Sequence, residues 1–381
     1  GRRASPAKEI FKIRDKLLED MAAEVSSTRG IVFGTWDPDI EEFLFQAGVH
    51  VSSVVTTPKT KDDGTVRRNK FDEELLRICN NLSDGDDGVN KGLWSSDHTA
   101  QKTTSHDMIA LKYVTEEKRY PSSPIRMSKE DVRLAFKRIG HLLRCIGLFA
   151  SQVDGYSIVY LTMIFGAAAS PGCYEVFGDA IITTLLTQGR EDLEKTGPSH
   201  PETARFVDDF LSIMAVFGNR APDHVARLRF LIQALFGEEG LNQEKLEEVG
   251  DLSSFKHAFG VVIDSVERLF KAPWSKVCKL DKLVGPFINS KEKIDLDVLY
   301  SLRGVAWHVT ICAPSLRRFV MARLDAGLSD AAKNGKLKVR SQSSRFSHPK
   351  MDRSYQPSFA LRGETPEQGE EVLRYALRLT L

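Results

Sequence analysis

Two adjacent aspartates, Asp208 and Asp209, are the residues of this sequence whose type and spacing most clearly suit chemistry. They lie in the segment RFVDDFLSIM, between residues with strand composition, so the pattern predicts the tip of a β-hairpin. Two like charges at one turn are costly unless a cation binds them. Carboxylates that hold metal ions in this way serve phosphoryl transfer by in-line displacement. A solvated turn without catalytic function remains the alternative.

A small-residue segment upstream of this pair has the properties of a ligand-binding turn. It reads IFGAAASPGCY, with Phe165 and Gly166 near its start, and a helical pattern follows its proline. Small side chains let a base pair or a template backbone come close. A turn rich in glycine and alanine that merely permits tight packing is the alternative.

A third carboxylate, Asp131, opens the segment DVRLAF, which ends with the aromatic ring of Phe136. This spacing would place a metal ligand and a ring wall in one nucleotide pocket. The competing interpretation is a helix, because Ser128 through Asp131 fits a capping box and apolar residues continue at helical spacing as far as Leu143. The residues alone leave both interpretations open.

The elements around these segments predict an α+β protein. Residues 1–30 have the spacing of an amphipathic helix, and VHVSSVVTT has strand composition. Residues 58–106 are polar and predict loops, whereas 128–265 alternates helical and strand-like pieces. After about residue 268 the periodicity is helical, in LDVLYSLRGVAWHV and PSLRRFVMARLDAGL.

Composition is that of an ordinary soluble globular protein, with 41% hydrophobic and 28% charged residues. No apolar run is long enough to span a membrane, and the segment GRRASPAKEI lacks the apolar core of a signal peptide. Five cysteines without a C-x-x-C pair predict reduced thiols in an intracellular protein, in the cytoplasm or nucleus, and argue against a zinc site. Residues 334–353 carry six basic residues against one aspartate, which suits either a solvated tail or phosphate contact.

In chain order, the segments D-V-x-x-A-F, F-G-x-x-x-S-P and F-V-D-D resemble the palm motifs of retroelement reverse transcriptases, which are RNA-directed DNA polymerases. The segment RICNNLSDGDDGVNKG is similar to a fingers motif of tyrosine-recombinase and LTR-type retrotransposon polymerases. Three further segments, GLNQEK, HAFGVVID and LRGVAWHVTICAPSLRRF, resemble their late palm turn, primer-grip region and thumb helices. The resemblance covers residues from about 50 to about 330.

The resemblance implies an α+β right-hand polymerase fold with fingers, a palm built on an antiparallel sheet, and a helical thumb. The N-terminal segment and fingers would occupy residues 1–127, the palm with part of the fingers 128–267, and the thumb 268–330. A basic tail and the start of a further, truncated domain would occupy residues 331–381. No carboxylate set of an RNase H domain is identifiable after residue 331.

The resemblance also implies a role for each residue that matches a family motif. Those that would hold two Mg²⁺ ions, for which Mn²⁺ could substitute, are Asp131, Val132 through its backbone, Asp208 and Asp209. Those that would contact the incoming deoxynucleoside triphosphate are Arg77, Ala135 through its backbone, Phe136 as a steric gate against ribose, Phe165, Gly166, and Lys245, which would favour pyrophosphate departure. Either Lys61 or Lys70 would join them from the fingers. The implied partners are an RNA or DNA template and a DNA primer, with no membrane, and the oligomeric state stays open.

Departures from the family pattern leave alternatives. Asn81 stands where the fingers motif usually has Asp, and Phe206 replaces the more usual Tyr before the aspartate pair. A domesticated or degenerate reverse-transcriptase-like protein would bind nucleic acid without polymerising. An RNA-templated RNA polymerase is disfavoured because an aromatic gate at Phe136 blocks ribonucleotides. A purely structural α+β protein would need all three linked motifs to arise without function.

A cluster of lysines after residue 268 predicts a surface that grips a nucleic-acid duplex. Its members are Lys271, Lys276, Lys279 and Lys282. A solvated surface is the alternative.

Overall fold

The computed structural model describes residues 14–34, 38–59, 66–68, 75–83, 88–92, 101, 104–196, 200–249, 252–289, 296–334 and 358–360. Within these residues the chain forms nine α-helices and twelve β-strands. The helices are α1 (Arg14–Ser26), α2 (Pro38–Gln46), α3 (His106–Arg119), α4 (Ser170–Thr196), α5 (Arg220–Phe236), α6 (Gln243–Val249), α7 (Trp274–Asn289), α8 (Leu296–Thr310) and α9 (Pro314–Asn334). The strands are β1 (Gly30–Gly34), β2 (Val51–Pro58), β3 (Leu76–Asn81), β4 (Ile125–Asp131), β5 (Ala150–Val153), β6 (Tyr156–Tyr160), β7 (Glu202–Phe206), β8 (Asp209–Ala215), β9 (Phe255–Ala258), β10 (Val261–Asp264), β11 (Leu269–Lys271) and β12 (Ser358–Ala360).

The strands form three sheets. Five strands pair in the order β1-β6-β5-β2-β3, four in the order β12-β11-β10-β9, and three in the order β4-β8-β7. The pairing of β2 with β5 is parallel, and the other strand pairs of the described residues are antiparallel. The prediction of a mixed α and β fold with antiparallel sheets is confirmed.

The three-stranded sheet is buried on both faces. Side chains alternate along its central strand β8, as the period of two in a strand requires. Leu211 and Ile213 pack in one core with Tyr113 of α3, whereas Phe210 packs in a second core with Ile232 of α5. Burying a side chain of this size contributes about 1.5–3 kcal/mol. The sheet is therefore a firm support for the residues at its end.

Strand β4 contradicts the helical interpretation of the segment from Ser128 to Asp131. Ser128 and Glu130 lie inside the strand and are both 0% exposed. Arg229 of α5 donates from Nε and Nη2 to the two carboxylate oxygens of Glu130, at 3.2 Å each. A buried charge persists only when it is paired in this way. The polar residues that resemble a helix start are thus internal partners of the sheet.

Several other predictions from the sequence can be compared with the elements. The β7–β8 hairpin around the aspartate pair is confirmed, as are the strand at VHVSSVVTT and the helices α8 and α9. The helix after the small-residue segment is also confirmed, with Pro171 in its first turn. The prediction of loops throughout 58–106 is wrong where β3 pairs with β2 over six residues. The long-range partner strand, rather than local composition, stabilises β3.

The cysteines, the apolar character of the helices and the basic segment were also subjects of prediction. The five cysteines lie among the described residues and form no disulfide with one another; Cys312 is buried and the other four are partly buried. Among the described helices, none combines the length and apolarity needed to cross a bilayer. The basic segment 335–353 lies outside the described residues.

Candidate active site

The end of β4 and the tip of the β7–β8 hairpin bring three aspartates together. Asp131 is the last residue of β4 and lies directly opposite Asp209, the first residue of β8. The amide of Val132 donates to the carbonyl oxygen of Asp208 at 3.1 Å, which ties the strand end to the hairpin tip. Val207 has a φ of 53°, a sparsely populated conformation for a β-branched residue that is typical of functional turns. Asp131, Asp208 and Asp209 are called the carboxylate cluster below.

Two lysines and an asparagine contact the carboxylate cluster. Lys245 Nζ donates to Asp131 Oδ1, and Asn242 Nδ2 donates to Asp131 Oδ2 at 2.8 Å. Lys129 Nζ lies 3.2 Å from Asp209 Oδ2. Burial lowers the pKa of Lys245, but the Asp131 carboxylate and its hydrogen bond raise it by more, so the net shift is upward. Lys245 therefore brings positive charge to the cluster.

The remaining negative charge of the cluster is only partly compensated. Burial, and after it the charge of Asp131, raises the pKa of Asp208 to about 6. Burial raises the pKa of Asp209 to about 7, although the Lys129 ammonium opposes this shift. Within the described residues, Asp209 Oδ1 is buried without a hydrogen-bond partner. Carboxylates with raised pKa values in one place are typical of functional sites.

The donor set of the cluster fits a hard divalent cation. Mg²⁺ prefers carboxylate oxygens, and proteins commonly hold it by one or two carboxylates together with water and substrate phosphates. The unpartnered Asp209 Oδ1 is an oxygen of this kind. In the part of the chain that the structure describes, no group of three or more His, Cys, Asp or Glu side chains is arranged so that it could hold a metal ion. The carboxylates of the cluster would therefore need water and substrate phosphates to complete the coordination of such an ion.

Aromatic rings pack beside the cluster and include two of the predicted pocket residues. Phe136 begins a 3₁₀ turn after β4, is 9% exposed, and meets the ring of Phe165 edge-on at 5.1 Å between centroids. It also meets Tyr174 edge-on at 6.1 Å. Ala135 is buried in the same core. The structure therefore brings Ala135, Phe136 and Phe165 together.

Gly166 makes the closest backbone approach in this region. Its φ is 104°, and a Cβ built there would lie 1.9 Å from the carbonyl oxygen of Asn80 on β3. The Asn80 amide donates to the Phe165 carbonyl at 3.1 Å. Asn90 Nδ2 donates to the Gly166 carbonyl at 2.7 Å, and the Ala168 amide donates to Asn90 Oδ1 at 2.8 Å. Glycine is required here because any side chain would overlap the backbone of the neighbouring strand.

The other residues predicted to contact the triphosphate are Arg77 and either Lys61 or Lys70. The backbone of Arg77 lies on β3, in register with Thr57 of β2. Lys61 and Lys70 lie outside the described residues. Their predicted role stays a prediction.

Several residues at the site were not predicted from the sequence. Lys129 lies two residues before Asp131 in β4, so both side chains are on the same face of the strand. This spacing would have predicted Lys129 as a site residue if β4 had been recognised as a strand. Arg205 donates to the Val207 carbonyl at 3.2 Å and to a carboxylate oxygen of Asp179 on α4 at 2.7 Å. Arg205 thus links the hairpin tip to α4 through hydrogen bonds. No local pattern in the sequence predicts this contact.

Comparison with known proteins bears on the fold. No family model and no curated protein matches the chain. Among solved structures, it is similar to the foamy viral protease-reverse transcriptase in complex with RNA/DNA hybrid, with 12% identity and a TM-score of 0.53. That alignment covers 99% of this chain and 38% of the viral one. The fold is reverse-transcriptase-like.

A second similar structure is the foamy viral protease-reverse transcriptase dRH in complex with ds DNA. Its identity is 14% and its TM-score 0.45, over 90% of this chain and 51% of that one. The chain thus spans about half of these proteins, or less.

Proposed function

We propose that this chain is the polymerase part of a retrotransposon reverse transcriptase, an RNA-directed DNA polymerase. It would add deoxynucleotides to the 3′ end of a DNA primer on an RNA or DNA template. The observation that carries the proposal is the carboxylate cluster, formed where a strand end meets a hairpin tip on a sheet buried on both faces. The pocket residues packed beside it and the reverse-transcriptase-like fold support the proposal.

The carboxylate cluster would hold cationic charge at the reacting atoms. Asp131, Asp208 and Asp209, with the backbone of Val132, would bind two Mg²⁺ or Mn²⁺ ions. When bound, such ions activate a primer 3′-hydroxyl and neutralise charge on the triphosphate during in-line displacement. Lys245 already supplies an ammonium group to the cluster, and we assign it to the departing pyrophosphate.

The surrounding residues would shape the nucleotide pocket. Phe165 and Gly166 would line it, and the backbone of Ala135 would approach the triphosphate. Arg77 would contact the triphosphate from β3. Because the backbone hydrogen bond from the Asn80 amide to the Phe165 carbonyl ties the Gly166 turn to β3, the two elements would act as one wall of the pocket.

Primer extension by the purified chain tests the proposal. A labelled DNA primer annealed to RNA or DNA templates should be extended with Mg²⁺ or Mn²⁺, and chelation with EDTA should stop extension. A chain that binds template-primer but extends it with neither metal would instead be a nucleic-acid-binding protein without polymerase activity.

The gate assigned to Phe136 gives a prediction about sugar selection. Phe136→Val should raise ribonucleotide incorporation relative to deoxynucleotide by about tenfold or more, because the rigid ring clashes with a 2′-hydroxyl. The ring is also part of a packed aromatic group, so the variant should lose some thermal stability. The measurement is kcat/KM for matched dNTP and rNTP pairs.

Phe177→Val is the matched control, because Phe177 packs against Phe236 in the same core but has no assigned contact with substrate. It should lose stability without a change in sugar selectivity. If Phe136→Val loses both activities equally, Phe136 is only a packing residue.

The predicted duplex grip can be refined from the structure. Lys276, Lys279 and Lys282 lie on α7 at intervals of three residues, whereas Lys271 lies on β11 and pairs with Asp264 and Glu267. Replacing the three α7 lysines with glutamine should reduce the slope of log affinity against log salt for a DNA duplex by about 2 to 3, because each phosphate contact adds roughly 0.9. Fluorescence anisotropy at several salt concentrations measures this slope.

Lys271→Gln is the control for this experiment, because the ammonium group of Lys271 is engaged by two carboxylates of its own sheet region. It should leave the salt slope unchanged. An unchanged slope in the triple variant would place the phosphate contacts elsewhere.

A further inference from the structure

Tyr174, in the first turns of α4, holds a buried hydroxyl without a partner. The residue is 0% exposed, and within the described residues its Oη has no hydrogen-bond partner. The ring is fixed by an edge contact with Phe136 and by stacking on Phe236 at 5.8 Å between centroids. Buried hydroxyls are seldom left unpaired, so this one needs an explanation.

The surroundings of Tyr174 place its ring in the core that adjoins the carboxylate cluster. Its core includes Val132 and Val207, which adjoin Asp131 and Asp208 in the sequence. Burial raises the pKa of the Tyr174 hydroxyl well above its usual range, and the charge of Asp208 is the next largest cause. The hydroxyl therefore remains protonated and available as a donor.

The members of the carboxylate cluster differ in the donors that they receive. Asp131 accepts from Lys245 and Asn242, and Asp209 pairs with Lys129. Within the described residues, no side chain of another residue is found to donate to the Asp208 carboxylate. The Asp208 carboxylate thus receives only a backbone hydrogen bond, whereas the buried Tyr174 hydroxyl of the adjoining core has no partner within the described residues.

We propose that Tyr174 is a positioning residue whose hydroxyl donates to the Asp208 carboxylate when the site holds template-primer and triphosphate. The bond would fix the orientation of that carboxylate toward the reacting atoms. This inference rests on the proposed function, because Asp208 acts there as a ligand of the catalytic ions.

Tyr174→Phe removes the hydroxyl and keeps the ring, so it separates positioning from packing. We expect kcat for primer extension to fall about tenfold or more, with the KM for deoxynucleotide changed by less than about twofold. Mn²⁺ affinity, measured by electron paramagnetic resonance on the enzyme bound to template-primer, should weaken by a similar factor. The melting temperature should stay equal or rise, because an unpartnered buried hydroxyl is lost.

Tyr113→Phe is the matched control, because Tyr113 is equally buried but its hydroxyl donates to the Ser265 carbonyl at 3.0 Å. Its loss should lower the melting temperature and leave kcat and Mn²⁺ affinity unchanged. The two phenylalanine variants should therefore show opposite patterns of stability and activity.

The outcomes distinguish this inference from the proposed function. If Tyr174→Phe keeps the wild-type kcat and Mn²⁺ affinity, the inference is overturned while polymerase activity stands. If the wild-type chain extends no primer, the proposed function fails. The role of Tyr174 is then tested by Mn²⁺ affinity alone, compared between the wild type and Tyr174→Phe. Equal affinity in both proteins then overturns the role of Tyr174, and weaker binding by the variant supports it.

Discussion

Asp208→Asn should reduce primer extension by about a thousandfold or more while leaving the fold intact. The amide keeps the shape of the side chain but loses the charge that we assign to the catalytic ions. Those ions supply several kcal/mol of transition-state stabilisation, and each 1.36 kcal/mol corresponds to about a factor of ten in rate. Single-turnover extension with saturating Mg²⁺ and dNTP measures the loss.

The fold should survive this substitution because the charge at Asp208 does not stabilise the protein. Burial and the charge of Asp131 raise its pKa to about 6, which means that the ionised form is disfavoured where it lies. A neutral amide relieves that repulsion, so the melting temperature should be equal or higher. Circular dichroism and thermal melting measure this independently of activity.

Asp223→Asn is the matched control, because Asp223 is an exposed acidic residue in the first turn of α5. It removes the same charge without touching the cluster and should leave extension unchanged. An Asp208→Asn enzyme that extends primers at the wild-type rate would show that the cluster does not perform the chemistry.

The parts of the site that depend on local sequence were predictable. The β7–β8 hairpin follows from apolar residues on both sides of Asp208 and Asp209, and the start of α4 follows from small residues and Pro171. In both places the neighbouring residues and the tertiary structure favour the same element. Local pattern and final fold therefore agree.

Strand β4 shows why the rest could not be predicted. Ser128 and Glu130 favour a helix start locally, but Arg229, 99 residues further along the chain, pairs with the Glu130 carboxylate inside the fold. The contact of Asn242 with Asp131 spans 111 residues. Such long-range contacts decide between a helix and a strand where the local sequence favours neither strongly. The local sequence contains no signal of these contacts.

Gly166→Ala should lower the free energy of unfolding by about 3 kcal/mol or more and should also impair DNA synthesis. An alanine at the positive φ of 104° would be strained by about 1–2 kcal/mol. Its Cβ would also overlap the Asn80 carbonyl oxygen, which would be 1.9 Å away. Relieving such an overlap by moving backbone typically costs a further 1–3 kcal/mol, roughly. The strand and the turn would separate, which would break the bond between the Asn80 amide and the Phe165 carbonyl.

Comparison with Gly48→Ala separates the two causes of that loss, which are backbone strain and steric overlap. Gly48 has a φ of 78°, and a Cβ built there would meet nothing within 4 Å, so its variant bears conformational strain alone. We expect a loss of about 1 kcal/mol for it, with primer extension unchanged. Urea unfolding of both variants measures the difference, which reports the close approach of the Gly166 turn to β3. If the two variants lose equal stability, the turn yields without cost, and the wall of the nucleotide pocket is not built by this contact.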